Sequence, residues 1–145
     1  MWCYSRAMRS RERSVTTLAS KSDEIWRRWT DTTCWPQDDS EVQHAEFEST
    51  PALGVTGTLV PTKGPRSTMK ISSIETNRCF DIATKLPGAL MLFQHEMNFL
   101  SNEELVITHR VVFTGPLSLL FDRLIGSSIE KGFPTVMTNI VERSR

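Results

Sequence analysis

The sequence lacks any run near the roughly 20 consecutive apolar residues that a membrane-spanning helix needs, so stable membrane insertion is not expected. It also lacks a secretory signal. Residues 1–13 carry Arg6, Arg9, Arg11 and Arg13 without the apolar segment such signals contain. Charge of one sign is not in excess: lysine plus arginine and aspartate plus glutamate each number 17, for a formal net charge of zero. That balance gives no electrostatic reason to expect nucleic acid as a partner. It leaves a monomer or a homodimer open. Cysteine is scarce, with only Cys3, Cys34 and Cys79, an odd number at wide spacing and without a C-x-x-C pair. A disulfide framework and a structural zinc site are therefore not expected. Incidental thiols in a reducing, cytoplasmic setting are. No internal repeat and no low-complexity tract occurs.

What is present is globular. Hydrophobic residues make up 39% and charged residues 23% of 145 residues, a composition and length suited to one domain with a core. Residues 1–8 follow no period, and Met8 opens a stretch that reads as a natural start. They are expected to form a disordered extension, with a basic binding arm as the alternative. Residues 9–145 are expected to form the single domain.

Residues 11–19 alternate and are rich in Ser, Val and Thr, which predicts a first strand. Ser22 then offers a hydroxyl cap, and Asp23 and Glu24 suit the positive end of a helix dipole. Ile25, Trp26 and Trp29 give that helix its apolar side, and Trp35-Pro36 is expected to stop it. The six acids between residues 31 and 48, with no Lys or Arg among them, read as a solvated connection. Strands follow at 42–48, 55–60, 68–75, 79–84, 89–100 and 104–114, separated by turn residues. Short connections between successive strands predict an antiparallel meander. Gly115-Pro116 ends the sheet and opens a helix. Leu117, Leu120, Phe121, Leu124, Ile125, Ile129, Phe133, Val136, Met137, Ile140 and Val141 form its apolar stripe. Gly132 and Pro134 fall inside the stripe without breaking its phase, which predicts a kink.

The order strand, helix, six strands, long helix implies a cavity. A helix of about 26 residues is about 39 Å long and covers one line across a seven-stranded sheet. A sheet bent around it leaves room at the ends, lined by apolar side chains that meet no protein atoms. In the last two strands the odd positions are apolar, so they face inward. The three-residue loop 101–103 sets Leu100 opposite Glu104, His95 opposite His109, Phe93 opposite Val111 and Met97 opposite Ile107. Asn102 or Glu103 is expected to take unusual backbone angles. Across Leu86-Pro87-Gly88, Phe80 and Ile82 are expected opposite Phe93 and Met91. The expected lining is Phe80, Ile82, Met91, Phe93, His95, Met97, Ile107, His109, Val111 and Phe113, with Phe121 and Ile125 from the helix.

The segment Ile25-Trp26-x-x-Trp29-x-Asp31 followed by Trp35-Pro36 resembles the start of polyketide cyclase/dehydrase and other START-like (SRPBCC) proteins. Leu86-Pro87-Gly88-Ala89, Phe93-x-His95, Thr108-His109-Arg110-Val111 and Gly115-Pro116-Leu117 look like one bacterial subgroup of that superfamily. The resemblance implies an α+β helix-grip fold of the Bet v 1/START type, a curved seven-stranded antiparallel sheet around a long C-terminal helix. It implies an internal cavity for a lipid, polyketide or other apolar molecule, and no shared catalytic set or cofactor. Its members include cyclases, carriers and chaperone activators, so carrier or sensor, acid–base enzyme and interaction module all stay open.

The His95/His109 pair is the sharpest chemical feature. In an apolar pocket it could be structural, orient a ligand's polar group, act as acid or base, or supply two metal ligands. A metal wants a third ligand, and the strand parity offers none. Cys79 and Asp81 lie on the opposite parity and should face outward.

Overall fold

A computed structural model describes residues 9–145, with the side chains from residue 10 onward. The expectation for residues 1–8 lies outside the described residues. Nine elements dominate the described chain up to the last strand. β1 (Arg9–Leu18) leads through a tight turn into α1 (Ser22–Thr30), and a short α2 (Trp35–Asp38) follows. The meander is β2 (Val42–Phe47), β3 (Thr56–Pro61), β4 (Ser67–Glu75), β5 (Cys79–Leu86), β6 (Ala89–Phe99) and β7 (Glu104–Thr114). The C-terminal helix runs as α3 (Ser118–Phe121), a π-turn over Asp122–Gly126 and α4 (Ser127–Arg143). The strands form one curved antiparallel sheet in the order β1-β7-β6-β5-β4-β3-β2. The first strand therefore seals the edge of the last, and the other five follow in reverse chain order.

The core fills the concave side. Ile25 and Trp29 of α1, Met69, Ile71, Phe80, Ile107, Val111 and Phe113 of the sheet, and Phe133, Met137 and Ile140 of α4 all bury against one another. Removing each such side chain from water contributes about 1.5–3 kcal/mol. The register between β6 and β7 sets His95 opposite His109, Phe93 opposite Val111 and Met97 opposite Ile107. Between β5 and β6 the register differs from the expected one by two residues. Phe80 pairs with His95 and Ile82 with Phe93, because Pro87-Gly88 alone make the turn and Leu86 already pairs with Ala89. The shift is even, so every side chain keeps its face.

Other expectations are corrected locally. α1 stops at Thr30, well before Trp35-Pro36. The carboxylate of Asp31 accepts from the Thr33 backbone N–H at 3.0 Å and its hydroxyl at 2.6 Å, and this side-chain turn competes with further helix. Trp35-Pro36 opens α2 instead. Ser22 makes no side-chain cap, since α1 grows directly out of the preceding turn over Ala19–Lys21. Neither Asn102 nor Glu103 has a positive φ. The Ser101 hydroxyl accepts from the backbone N–H of both Glu103 and Glu104 at 3.1 Å and shapes that loop. The helix stripe starts at Phe121, and Leu117, Leu120 and Leu124 are exposed, Leu124 to 65%. Pro134 sits inside α4 without ending it.

The acidic stretch is not uniformly solvated either. Asp38 is buried at 3% exposure, in an ion pair with Arg28. Cys79 is disulfide-bonded and Cys34 is a free, buried thiol, so the expectation of thiols alone fails at Cys79. Among the described residues, no helix is long and apolar enough to cross a membrane.

Candidate functional site

Between the sheet, α4 and the α1–β2 segment lies a cavity of about 370 Å³. Its size falls within the range of small-molecule sites. The sheet contributes Leu59, Met69, Ile82, Thr84, Phe93, His95 and His109. α4 contributes Ile129, Gly132, Phe133, Val136 and Ile140. Trp29, Trp35, Arg28, Asp38, Asp39 and Glu41 close the third side. The walls are mainly apolar, and the polar groups gather at the histidines and along α2.

Of the residues named from sequence, Ile82, Phe93, His95 and His109 line this cavity. Phe80, Met97, Ile107, Val111 and Phe113 face the same side of the sheet but pack in the core at 0–5% exposure. Met91, Phe121 and Ile125 are partly buried against that core. Sequence reasoning missed Trp29, Trp35 and the Arg28/Asp38 pair. It also took α3 and the π-turn, not α4, as the helix wall. The α4 residues Phe133, Val136 and Ile140 were legible in the apolar stripe. The Arg28/Asp38 pair left no local signal.

The two imidazoles meet inside an aromatic enclosure. Their ring centroids are 4.6 Å apart, and Trp29 lies 5.3 Å from His95 and 5.7 Å from His109. Phe80 approaches His95 at 5.8 Å, and Phe133 approaches His109 at 5.9 Å. α1 supplies a hydrogen bond as well as a wall, since the Trp29 indole N–H donates to Nε2 of His109 at 3.1 Å. Nδ1 of His95 lies 2.8 Å from the carbonyl oxygen of Phe80, the residue opposite it on β5. Burial pushes the His95 imidazole down to about 4, and the Phe80 carbonyl offsets this only in part. Burial, with His95 beside it, also holds His109 well below its usual range. Both rings are therefore neutral near pH 7.

The other polar groups are already engaged. Arg28 donates to both carboxylate oxygens of Asp38, at 2.9 Å from Nε and 2.9 Å from a terminal nitrogen, with 5% and 4% side-chain exposure. Asp39 accepts from the Glu41 backbone N–H at 2.9 Å, and burial raises its carboxyl. Among the described residues no set of three His, Cys, Asp or Glu is placed to hold a metal ion.

On the other face of the sheet a polar row crosses β5, β6 and β7. Gln94 donates to Asp81 at 3.2 Å, and Arg110 donates to Gln94 at 3.1 Å and to Glu96 at 2.9 Å. Arg110 also reaches Glu12 of β1 at 3.2 Å. Burial raises the Asp81 carboxyl to about 7.

No family model matches the sequence, and no curated protein sequence matches it. Solved structures do match. A START superfamily protein from Mycobacterium smegmatis superposes with a TM-score of 0.70 at 11% identity, over 92% of this chain and 97% of that one. The di-domain ARO/CYC BexL from the BE-7585A biosynthetic pathway gives 0.72 at 12% identity, over 92% of this chain and 46% of that one. Norcoclaurine synthase from Thalictrum flavum gives 0.68 at 13% identity, over 92% and 84%. The chain has the START-like helix-grip fold.

Proposed function

We propose that the protein binds an apolar small molecule, a lipid, polyketide or similar compound, in the cavity between the sheet and α4, as a carrier or sensor. The observation that carries this reading is the cavity itself, about 370 Å³ with mainly apolar walls and two neutral histidines. A small domain does not keep such a space next to a close-packed core without cost. The solved structures with this fold, one a norcoclaurine synthase and one an ARO/CYC, are consistent with an occupant of that chemistry.

The second reading is an acid–base enzyme of cyclase or dehydratase type using His95 or His109. The neutral rings weigh against it. A group with so low a proton affinity supplies little imidazolium near neutrality and is a weak base. Turnover lost in His95→Gln or His109→Gln, with ligand affinity kept, would favour the enzyme.

The test is native mass spectrometry of the purified full chain against its denatured mass. An organic compound released on denaturation is the expected result. A second arm uses Gly132, on the exposed rim of the cavity, where a Cβ would meet no atom of another element within 4 Å. Gly132→Trp should leave the fold intact and abolish the bound mass. Equal retention in that variant would place the ligand elsewhere.

A further inference from the structure

Two hydrogen bonds determine what the histidines offer the cavity. An indole N–H only donates, so Nε2 of His109 must accept, and the proton of the neutral ring sits on Nδ1. A backbone carbonyl only accepts, so Nδ1 of His95 must carry the proton, and Nε2 keeps its lone pair. Both rings are thus the same tautomer, used in opposite senses. His109 has spent its acceptor and retains a donor, Nδ1–H. His95 has spent its donor and retains an acceptor, Nε2. Among the described residues neither of these two atoms has a hydrogen-bond partner, and the rings do not bond each other. His109 is 4% exposed, both rings line the cavity, and their centroids are 4.6 Å apart. One donor and one acceptor, both neutral, therefore sit on adjacent rings that line one cavity.

Few ligand groups satisfy both. A carboxylate or a ketone accepts from His109 but sets a lone pair against Nε2 of His95. An ammonium donates to His95 but opposes the N–H of His109. An ether leaves His95 unmet. A hydroxyl group does both at one oxygen, accepting from His109 and donating to His95. A site that leaves buried polar atoms unmet by the wrong analogue discriminates against it. We infer that the ligand carries a neutral hydroxyl, alcohol or phenol, on its apolar body, and that this oxygen seats between Nδ1 of His109 and Nε2 of His95. This rests on the cavity reading above and adds the functional group that the cavity selects.

The test uses the full chain and three probes of one shape: 2-naphthol, 2-methoxynaphthalene and naphthalene. Calorimetric titration should show 2-naphthol binding about ten-fold tighter than its methyl ether or the parent hydrocarbon. His95→Phe should remove that preference while the hydrocarbon still binds. Equal affinities for 2-naphthol and its ether would overturn the hydroxyl site and leave the cavity reading standing. No binding of any probe at millimolar concentration would overturn the cavity reading and the hydroxyl site with it. Should His95→Phe not fold, ¹⁵N correlation spectra of the unsubstituted protein decide the question. Both rings should show a protonated Nδ1 and a bare Nε2, and 2-naphthol should move the Nε2 signal of His95. A protonated Nε2 on either ring would overturn the inference.

Discussion

Trp29 sets the chemistry of a ring eighty positions away in the chain, since its indole N–H fixes the proton of His109. Trp29→Phe keeps most of the packing and removes that donor. The expected result is a loss of about 1–2 kcal/mol in urea unfolding and a mixed His109 tautomer by ¹⁵N NMR. The Arg28/Asp38 pair offers a second residue-scale test. Arg28→Ala leaves Asp38 buried without its main partner and should cost about 3–5 kcal/mol by the same unfolding measurement. Gly132→Ala should instead raise stability by up to about 1 kcal/mol. It sits in α4, its Cβ would meet open space, and alanine favours helix over glycine. The His95/His109 juxtaposition was legible because a counted hairpin loop and strict strand alternation suffice to set it. The Trp29 partner was not. A contact between a helix and a distant strand depends on how the helix lies on the sheet, and no local spacing encodes that.

Among the elements, the C-terminal helix departs most from its sequence pattern. Its π-turn places Asp122 and Gly126 in buried positions. There Asp122 takes a two-pronged ion pair from Arg11 of β1, at 2.9 and 3.0 Å. A Cβ on Gly126 would come 2.9 Å from the Asp122 carboxylate, 3.1 Å from the Arg11 Nε and 3.2 Å from the Phe113 ring. Gly126→Ala should therefore cost about 1–3 kcal/mol in thermal or urea unfolding, although alanine is the better helix former. A stabilised Gly126→Ala would mean that the clamp gives way easily. The strands and the meander from β2 to β7 were legible from alternation and turn residues, but the place of β1 beside β7 was not, because no short connection joins them. The helix stripe was legible too, but its first turns were not. Periodicity marks Leu117, Leu120 and Leu124 as apolar without revealing that the helix there overhangs the edge of the core.

Across the whole molecule the ionisable groups pull stability in opposite directions with pH. His95 has a usual value of 6.5 and is held at about 4, so between these values the unfolded chain binds more protons and stability rises with pH. His109 acts in the same direction. Asp81 is raised from 3.8 to about 7, so over that window the folded chain binds more protons and stability falls as pH rises. Asp39, also raised by burial, acts with Asp81. Two histidines and two carboxyls therefore oppose each other, and single variants separate them. Between pH 4 and 6.5, His95→Phe should make the melting temperature rise less steeply with pH, and Asp81→Asn should make it rise more steeply. A pH profile unchanged by His95→Phe would mean that this ring is protonated in the folded protein.

The pairing of β1 with β7 also has a kinetic side. β2 through β7 join neighbours in the chain, whereas Arg9 of β1 pairs with the distant Phe113 of β7. Closing so long a loop costs more entropy than closing any hairpin, and proteins dominated by distant contacts fold slowly. On the ribosome β1 and α1 emerge first and wait for the last strand and helix before they have anywhere to dock. Trp26, Trp29 and Trp35 all sit in this early segment. In refolding, tryptophan fluorescence should therefore mature after the strand signal in far-ultraviolet dichroism. The histidine enclosure should then be the last part of the molecule to be assembled, and a nascent or C-terminally truncated chain lacks the α4 wall of the cavity.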